Sequence, residues 1–86
     1  MAIDYKNLKI GDTFWKCGYR TNVEYTVTDP PKVDTVYFED REVNQWAWKA
    51  ISTDGNEIDF LITEGFEHYG PKLYYYQAYM KGLKNE

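Results

Sequence analysis

The amino-acid sequence predicts an all-β domain, a small closed or nearly closed barrel of five or six short antiparallel strands, and three observations carry the prediction. Short runs rich in Val, Tyr, Phe, Trp and Thr recur at close intervals along the 86 residues, bounded by Gly, Pro, Asp and Asn. No window of eleven or more residues keeps a clean helical period, so no helix supplies a second layer. A chain this short removes the most sheet edge by curling the sheet on itself.

The elements follow in order. In "LKIGDTFWKCGY", Leu8 and Ile10 are apolar plugs, Gly11 and Asp12 form a turn, and a strand spans residues 13–19. "NVEYTVTD" alternates, turning Val23, Tyr25 and Val27 one way and Glu24, Thr26 and Thr28 the other. Pro30 and Pro31 cannot donate to a ladder, so "DPPK" is expected to end that strand. "VDTVYFED" is then a third strand, with Val36 and Phe38 inward.

The hairpin over residues 44–63 is the most informative stretch. A two-residue Asp-Gly loop would set Lys49 opposite Phe60 and Ala50 opposite Asp59, mixing polar and apolar groups on both faces. A three-residue loop of Thr53, Asp54 and Gly55, with glycine in the left-handed region, shifts the register by one. Trp46 then faces Ile62, Trp48 faces Phe60 and Ala50 faces Ile58 on one side, while Lys49 meets Asp59 on the other. Opposite charges so paired contribute about 0.2–1 kcal/mol. Both tryptophans are therefore core residues first. "EGFEHYGP" is a loop, "KLYYYQAYM" the final strand, and residues 81–86 a polar tail expected to fray.

Composition bounds the rest. The 86 residues form a single domain that buries only about 60–65% of its unfolded surface. A 19% aromatic share compensates, since each buried ring removes about 150–250 Å² from water. Cys17 is the one cysteine, so no disulfide forms within the chain, and the thiol is expected to be a small buried apolar group in a reducing, cytoplasmic setting. No apolar h-region opens the sequence and no run of eighteen apolar residues occurs, so no membrane association is expected.

Charge is uneven. Residues 29–67 hold ten acids and three bases, a net of −7, between flanks of +1 and +2. Such a middle repels phosphate backbones and disfavours nucleic acid, while a basic protein surface complements it.

The run "LKIGDTFW", followed by a turn and "VEYTVTD", resembles the opening of SH3-like small barrels, in which a Gly-Asp turn introduces the first long strand. The likeness covers residues 8–29. In size and aromatic content the chain is also similar to short accessory proteins of bacteriophages. That resemblance implies binding to a host protein, in host cytoplasm, and supplies no catalytic residues.

Catalytic groups are sparse. Cys17 and His68 stand 51 positions apart, Ser52 is the one serine, and neither a Gly-rich nucleophile turn nor an orienting group accompanies them. His68 with Glu64 and Glu67 offers three ligands within five residues, but two Cys and His residues in all fall short of a structural zinc site. No phosphate-cradling glycine motif is present. Glu57 and Asp59 project two carboxylates from one strand face, yet the hairpin register sets Lys49 across from Asp59, the arrangement of an ion pair rather than of a proton donor. No enzyme activity, metal or cofactor is expected.

A binding module remains. Five of the nine tyrosines fall between His68 and Tyr79. Alternation on the final strand separates Leu73, Tyr75, Gln77 and Tyr79 from Tyr74, Tyr76 and Ala78, and the favoured phase turns the second set inward; the opposite phase satisfies the pattern as well. The expected partner-binding residues are Tyr69, Tyr75 and Tyr79 with the acids Glu39, Asp40 and Glu42, directed at a basic protein partner or at a second copy of the chain. The alternative is a sugar or other planar ligand stacked on the same rings.

Overall fold

Aromatic residues at alternate positions of four successive strands meet in one core, and the hydrogen-bond register explains how. The computed structural model describes residues 3–75. Its strands are β1 (Thr13–Cys17), β2 (Asn22–Phe38), β3 (Arg41–Ser52), β4 (Glu57–Thr63) and β5 (Leu73–Tyr74), in one antiparallel sheet of order β4-β3-β2-β1-β5. Two short 3₁₀ turns, Tyr5–Asn7 and Glu67–Tyr69, complete it.

β1 pairs Phe14 with Tyr25, β2 pairs Val27 with Ala50, and β3 pairs Trp48 with Phe60 and Trp46 with Ile62. One face therefore collects Phe14, Tyr25, Val27, Trp48 and Phe60, all buried. The Phe14 ring lies 5.1 Å from Phe60 edge-on, and Phe60 stacks on Trp48 at 5.5 Å. Ile3 and Leu8 of the N-terminal segment close over this face, and Tyr5 stacks on Trp48 at 6.3 Å.

The hairpin register is the one the sequence predicts. Trp46, Trp48, Lys49 and Ala50 stand across from Ile62, Phe60, Asp59 and Ile58. Gly55 takes φ +92° and donates its N–H to Ser52 O at 3.0 Å, while Ser52 N–H donates to Asn56 O at 2.9 Å, which closes the three-residue loop. The Ser52 hydroxyl donates to Asp54 and fixes the turn further.

Other expectations are corrected. Pro30 and Pro31 do not end a strand: β2 runs through them, and the register to β3 slips by one residue between Val27 and Asp29 and again between Asp29 and Lys32. These bulges absorb positions that lack a donor, on a stretch where β1 no longer pairs with β2. The expected third strand is thus the outer half of β2, and Val36 and Phe38, paired with Val43 and Arg41, are half-buried on the face opposite Trp46 and Trp48 rather than inward on the core.

The sheet is not closed into a barrel. Among the described residues β5 pairs with β1 only through Trp15 with Tyr74 and Lys16 with Leu73, and β4 forms the opposite edge. The β1 strand stops at Cys17, which is exposed rather than buried, since it shares its strand phase with Thr13 and Trp15 and not with Phe14. Ile10 is exposed too, because the turn from Lys9 to Asp12 carries it off the core that Leu8 enters. No helix among the described residues is long and apolar enough to cross a membrane.

Candidate protein-binding surface

Beyond the bulges, β2 and β3 stay in regular register from Lys32 paired with Ala47 to Phe38 paired with Arg41, and past Gln45, where the pairing with β4 ends, they continue as a two-stranded ribbon. Only Glu39 and Asp40 lie between the strands, with φ of +50° and +65°. A two-residue loop with both residues at positive φ is a type I′ turn, the geometry that matches strand twist and favours Asn-Gly. Here two acids occupy it. Non-glycine residues in the left-handed region cost about 1–2 kcal/mol each, less for Asp, so the surroundings must hold them.

Those surroundings are aromatic. By alternation Phe38 and Arg41 lie on the face opposite Trp46 and Trp48. There Phe38 packs on Phe66 at 4.4 Å, and the Arg41 guanidinium sits 4.8 Å from the Phe66 ring centre. Phe66 reaches this face because Gly65, at φ +86°, turns the chain past the end of β4, with Phe66 N–H on Thr63 O at 2.9 Å. Tyr69, 67% exposed, stacks on Phe66 at 6.2 Å.

The turn's charges therefore point outward from a braced base. Glu39, Asp40 and Glu42 are exposed, as is Asp34 on β2, while Arg41 is drawn onto the ring beneath. Tyr37, 77% exposed, stands across from Glu42 and donates its hydroxyl to Glu42 Oε1 at 3.2 Å. Below the tip, a hollow of about 380 Å³ is lined by Thr35, Glu42, Val43, Asn44 and Glu64.

A second polar cluster ties the N-terminal segment to the β4–β5 loop. Lys6 Nζ meets Glu64 Oε1 at 2.9 Å, and the Trp46 indole N–H donates to Glu64 Oε2 at 3.1 Å. These two contacts, the lysine first, hold the Glu64 carboxyl below its ordinary range. The Tyr5 hydroxyl donates to Glu67 Oε2 at 2.9 Å. Burial, then this hydrogen bond and the nearby acids, push the Tyr5 phenol up to about 12. Glu67 is lowered by its own backbone N–H and then by Tyr5. At neutral pH the pair is a protonated donor on an ionised acceptor, a fastening rather than an acid and base poised for proton transfer.

Of the residues the sequence singled out, Glu39, Asp40 and Glu42 come together at the tip, with Tyr69 on the brace beneath it. Tyr75 does not join them: it is half-buried against the core, and its hydroxyl accepts the Asp4 N–H at 3.1 Å. The favoured phase is corrected: Leu73, opposite Lys16, enters the core cluster with Tyr75 packed against it, while Tyr74, opposite Trp15, is buried on the other face of the sheet. Tyr79, with Tyr76, Gln77, Ala78 and residues 81–86, lies outside the described residues. His68 packs against Tyr69 at 4.0 Å, and Glu57 accepts the Thr28 hydroxyl at 2.7 Å. Sequence reasoning missed Tyr37, although alternation already separated it from Val36 and Phe38. The Tyr5, Lys6 and Glu64 cluster left no local signal, because its members stand about sixty positions apart.

No family model, no curated protein and no solved structure matches the chain.

Proposed function

We propose that this protein is a non-enzymatic binding module whose acidic hairpin tip docks on a basic surface of another protein. The observation that carries the reading is the type I′ turn with two acids at positive φ, braced by Phe38, Phe66 and Tyr69. A turn kept in an unfavourable conformation by its neighbours is preorganised, so little ordering cost is left for binding. Glu39, Asp40 and Glu42 supply the charge, and Tyr37 and Tyr69 the aromatic contact that anchors interfaces. A lysine or arginine of the partner enters the hollow between Glu42 and Glu64. The SH3-like affinity and the setting of a phage or mobile-element accessory protein acting on a host protein belong to this proposal, resting on the resemblance in residues 8–29 and on size and composition.

The experiment is affinity capture from bacterial lysate by the wild-type chain and by a Glu39→Lys/Asp40→Lys variant, at low and high salt. The reading expects a protein retained at low salt, weakened at high salt, and lost with the variant. Retention that both proteins share equally would refute it. Glycan-array hits with no retained protein would favour the sugar-stacking alternative, for which the cleft of about 470 Å³ lined by Tyr5, His68 and Leu73 is the available groove.

A further inference from the structure

The free edge of the hairpin, along the outer half of β2, offers a second surface. Because Phe38 and Arg41 flank a two-residue turn, they form a hydrogen-bonded pair, and such pairs recur at every second position. The backbone groups of Lys32, Asp34, Val36 and Phe38 are thus spent on β3, while those of Val33, Thr35 and Tyr37 point away from it. Among the described residues β1 covers β2 only from Asn22 to Thr26, with a last backbone contact at Val27. The edge at Val33, Thr35 and Tyr37 is therefore open, and Val33 and Tyr37 are two of the chain's exposed large apolar side chains. Open edges of this kind are templates for another strand.

We propose that the occupant is a second copy of this chain, paired antiparallel across a two-fold axis at Thr35. That register is selected by the residues themselves. It matches Thr35 with Thr35 and Val33 with Tyr37, so all six outward-pointing residues of the two copies meet in hydrogen-bonded pairs. Its side chains form a Thr–Thr pair flanked by two aromatic–β-branched pairs. It also brings Lys32, exposed and held only by a 3.8 Å contact to Asp29, beside the turn acids Glu39 and Asp40 of the second copy, twice by symmetry. An axis at Asp34 would set two carboxylates face to face and keep only Val33 and Thr35 in hydrogen-bonded pairs, with Tyr37 opposite Pro31, which has no N–H to give. An axis at Val36 keeps only Thr35 and Tyr37 in hydrogen-bonded pairs. Pro30 and Pro31 fall beyond the paired segment in the Thr35 register and do not obstruct it. The opposing feature is Asp34, which meets its own copy diagonally at about 7–8 Å and holds the dimer weak.

The test is register-specific crosslinking of the full chain in a Cys17→Ser background, since the native thiol is exposed. Hydrogen-bonded partners stand about 5.5 Å apart at Cα, within disulfide reach. Thr35→Cys is expected to oxidise to a covalent dimer by itself. Val33→Cys and Tyr37→Cys are each expected to stay monomeric alone and to join when mixed. By light scattering, the mass of 10.2 kDa is expected to double with rising concentration. Asp34→Asn should raise the dimer fraction. Thr35→Pro should abolish it with the circular dichroism unchanged, because the lost N–H points away from β3. Wild-type protein that stays monomeric at millimolar concentration would overturn the proposal. So would Val33→Cys or Val36→Cys crosslinking to itself as readily as Thr35→Cys. If Thr35→Pro unfolds the chain, the crosslinking pattern decides. The reversal Glu39→Lys/Asp40→Lys would also set lysines beside Lys32 of the second copy. Val33→Pro, whose lost N–H points away from β3, therefore separates this inference from the proposed function: it should abolish the dimer and leave lysate capture intact.

Discussion

Replacing Glu39 by Asn and Asp40 by Gly installs the pair that a type I′ turn prefers. The φ values of +50° and +65° put both native residues in a region that costs an L side chain about 1–2 kcal/mol, less for an aspartate. Relief at both positions is partly offset by the added freedom of glycine in the unfolded chain, about 0.5–1 kcal/mol. The net is a gain of about 1 kcal/mol, which raises the Tm of a domain this size by about 4–8 °C. Thermal melts followed by circular dichroism read it directly. The same variant removes two of the three tip carboxylates, so partner retention falls as stability rises. Glu39→Gln separates the effects, since it keeps the backbone strain and loses the charge: its Tm stays level while retention drops. An unchanged or lowered Tm in the Asn-Gly variant would refute the claim that the turn is strained.

Three further outcomes follow from the core and the N-terminal fastening. Phe14→Ala removes the fully buried ring at the centre of the aromatic cluster and costs about 3–5 kcal/mol in urea unfolding; a loss under about 1 kcal/mol would mean the core is not built around it. Gly55→Ala meets no atom within 4 Å, so its cost is the left-handed backbone alone, about 1–2 kcal/mol, seen as a lower urea midpoint with unchanged slope. The pH dependence has two arms. Tyr5, raised from 10.0 to about 12, contributes stability that is fully present below pH 10 and lost as pH rises towards 12, and Tyr5→Phe should flatten that arm. Glu64 and Glu67, both lowered from 4.5, contribute stability present above that pH and lost as acid protonates them. Unfolding midpoints against pH, for wild type and Lys6→Met, check the acid arm: the variant should lose less on acidification.

The parts legible in the sequence are those governed by local chemistry and period. The register over residues 44–63 follows from one glycine and from the demand that Trp46, Trp48 and Ala50 share a face. Val23, Tyr25 and Val27 show the same logic on β2. What escaped depends on the edge geometry of the sheet. Two prolines look like a strand end, but on an edge the missing donors go unused and two bulges restore the phase. "FEDREV" holds neither glycine nor asparagine, so nothing in it announces a two-residue turn; Phe66, twenty-eight positions after Phe38, helps hold it there. The closed barrel failed because minimising edge says nothing about whether β4 and β5 meet, and here the loop between them carries Phe66 onto the outer face. The acids of the candidate surface were visible as a charge excess, whereas their gathering at one tip, with Tyr37 beside them, required the hairpin.

The most direct test of the account is an amide-resolved NMR titration of the chain with the partner that wild-type protein retains at low salt. The account predicts shift changes centred on residues 37–42 and Tyr69, shrinking as salt rises. Changes confined to the cleft around Ile3, Tyr5, Ile62 and Leu73, with the hairpin tip unmoved, would contradict it.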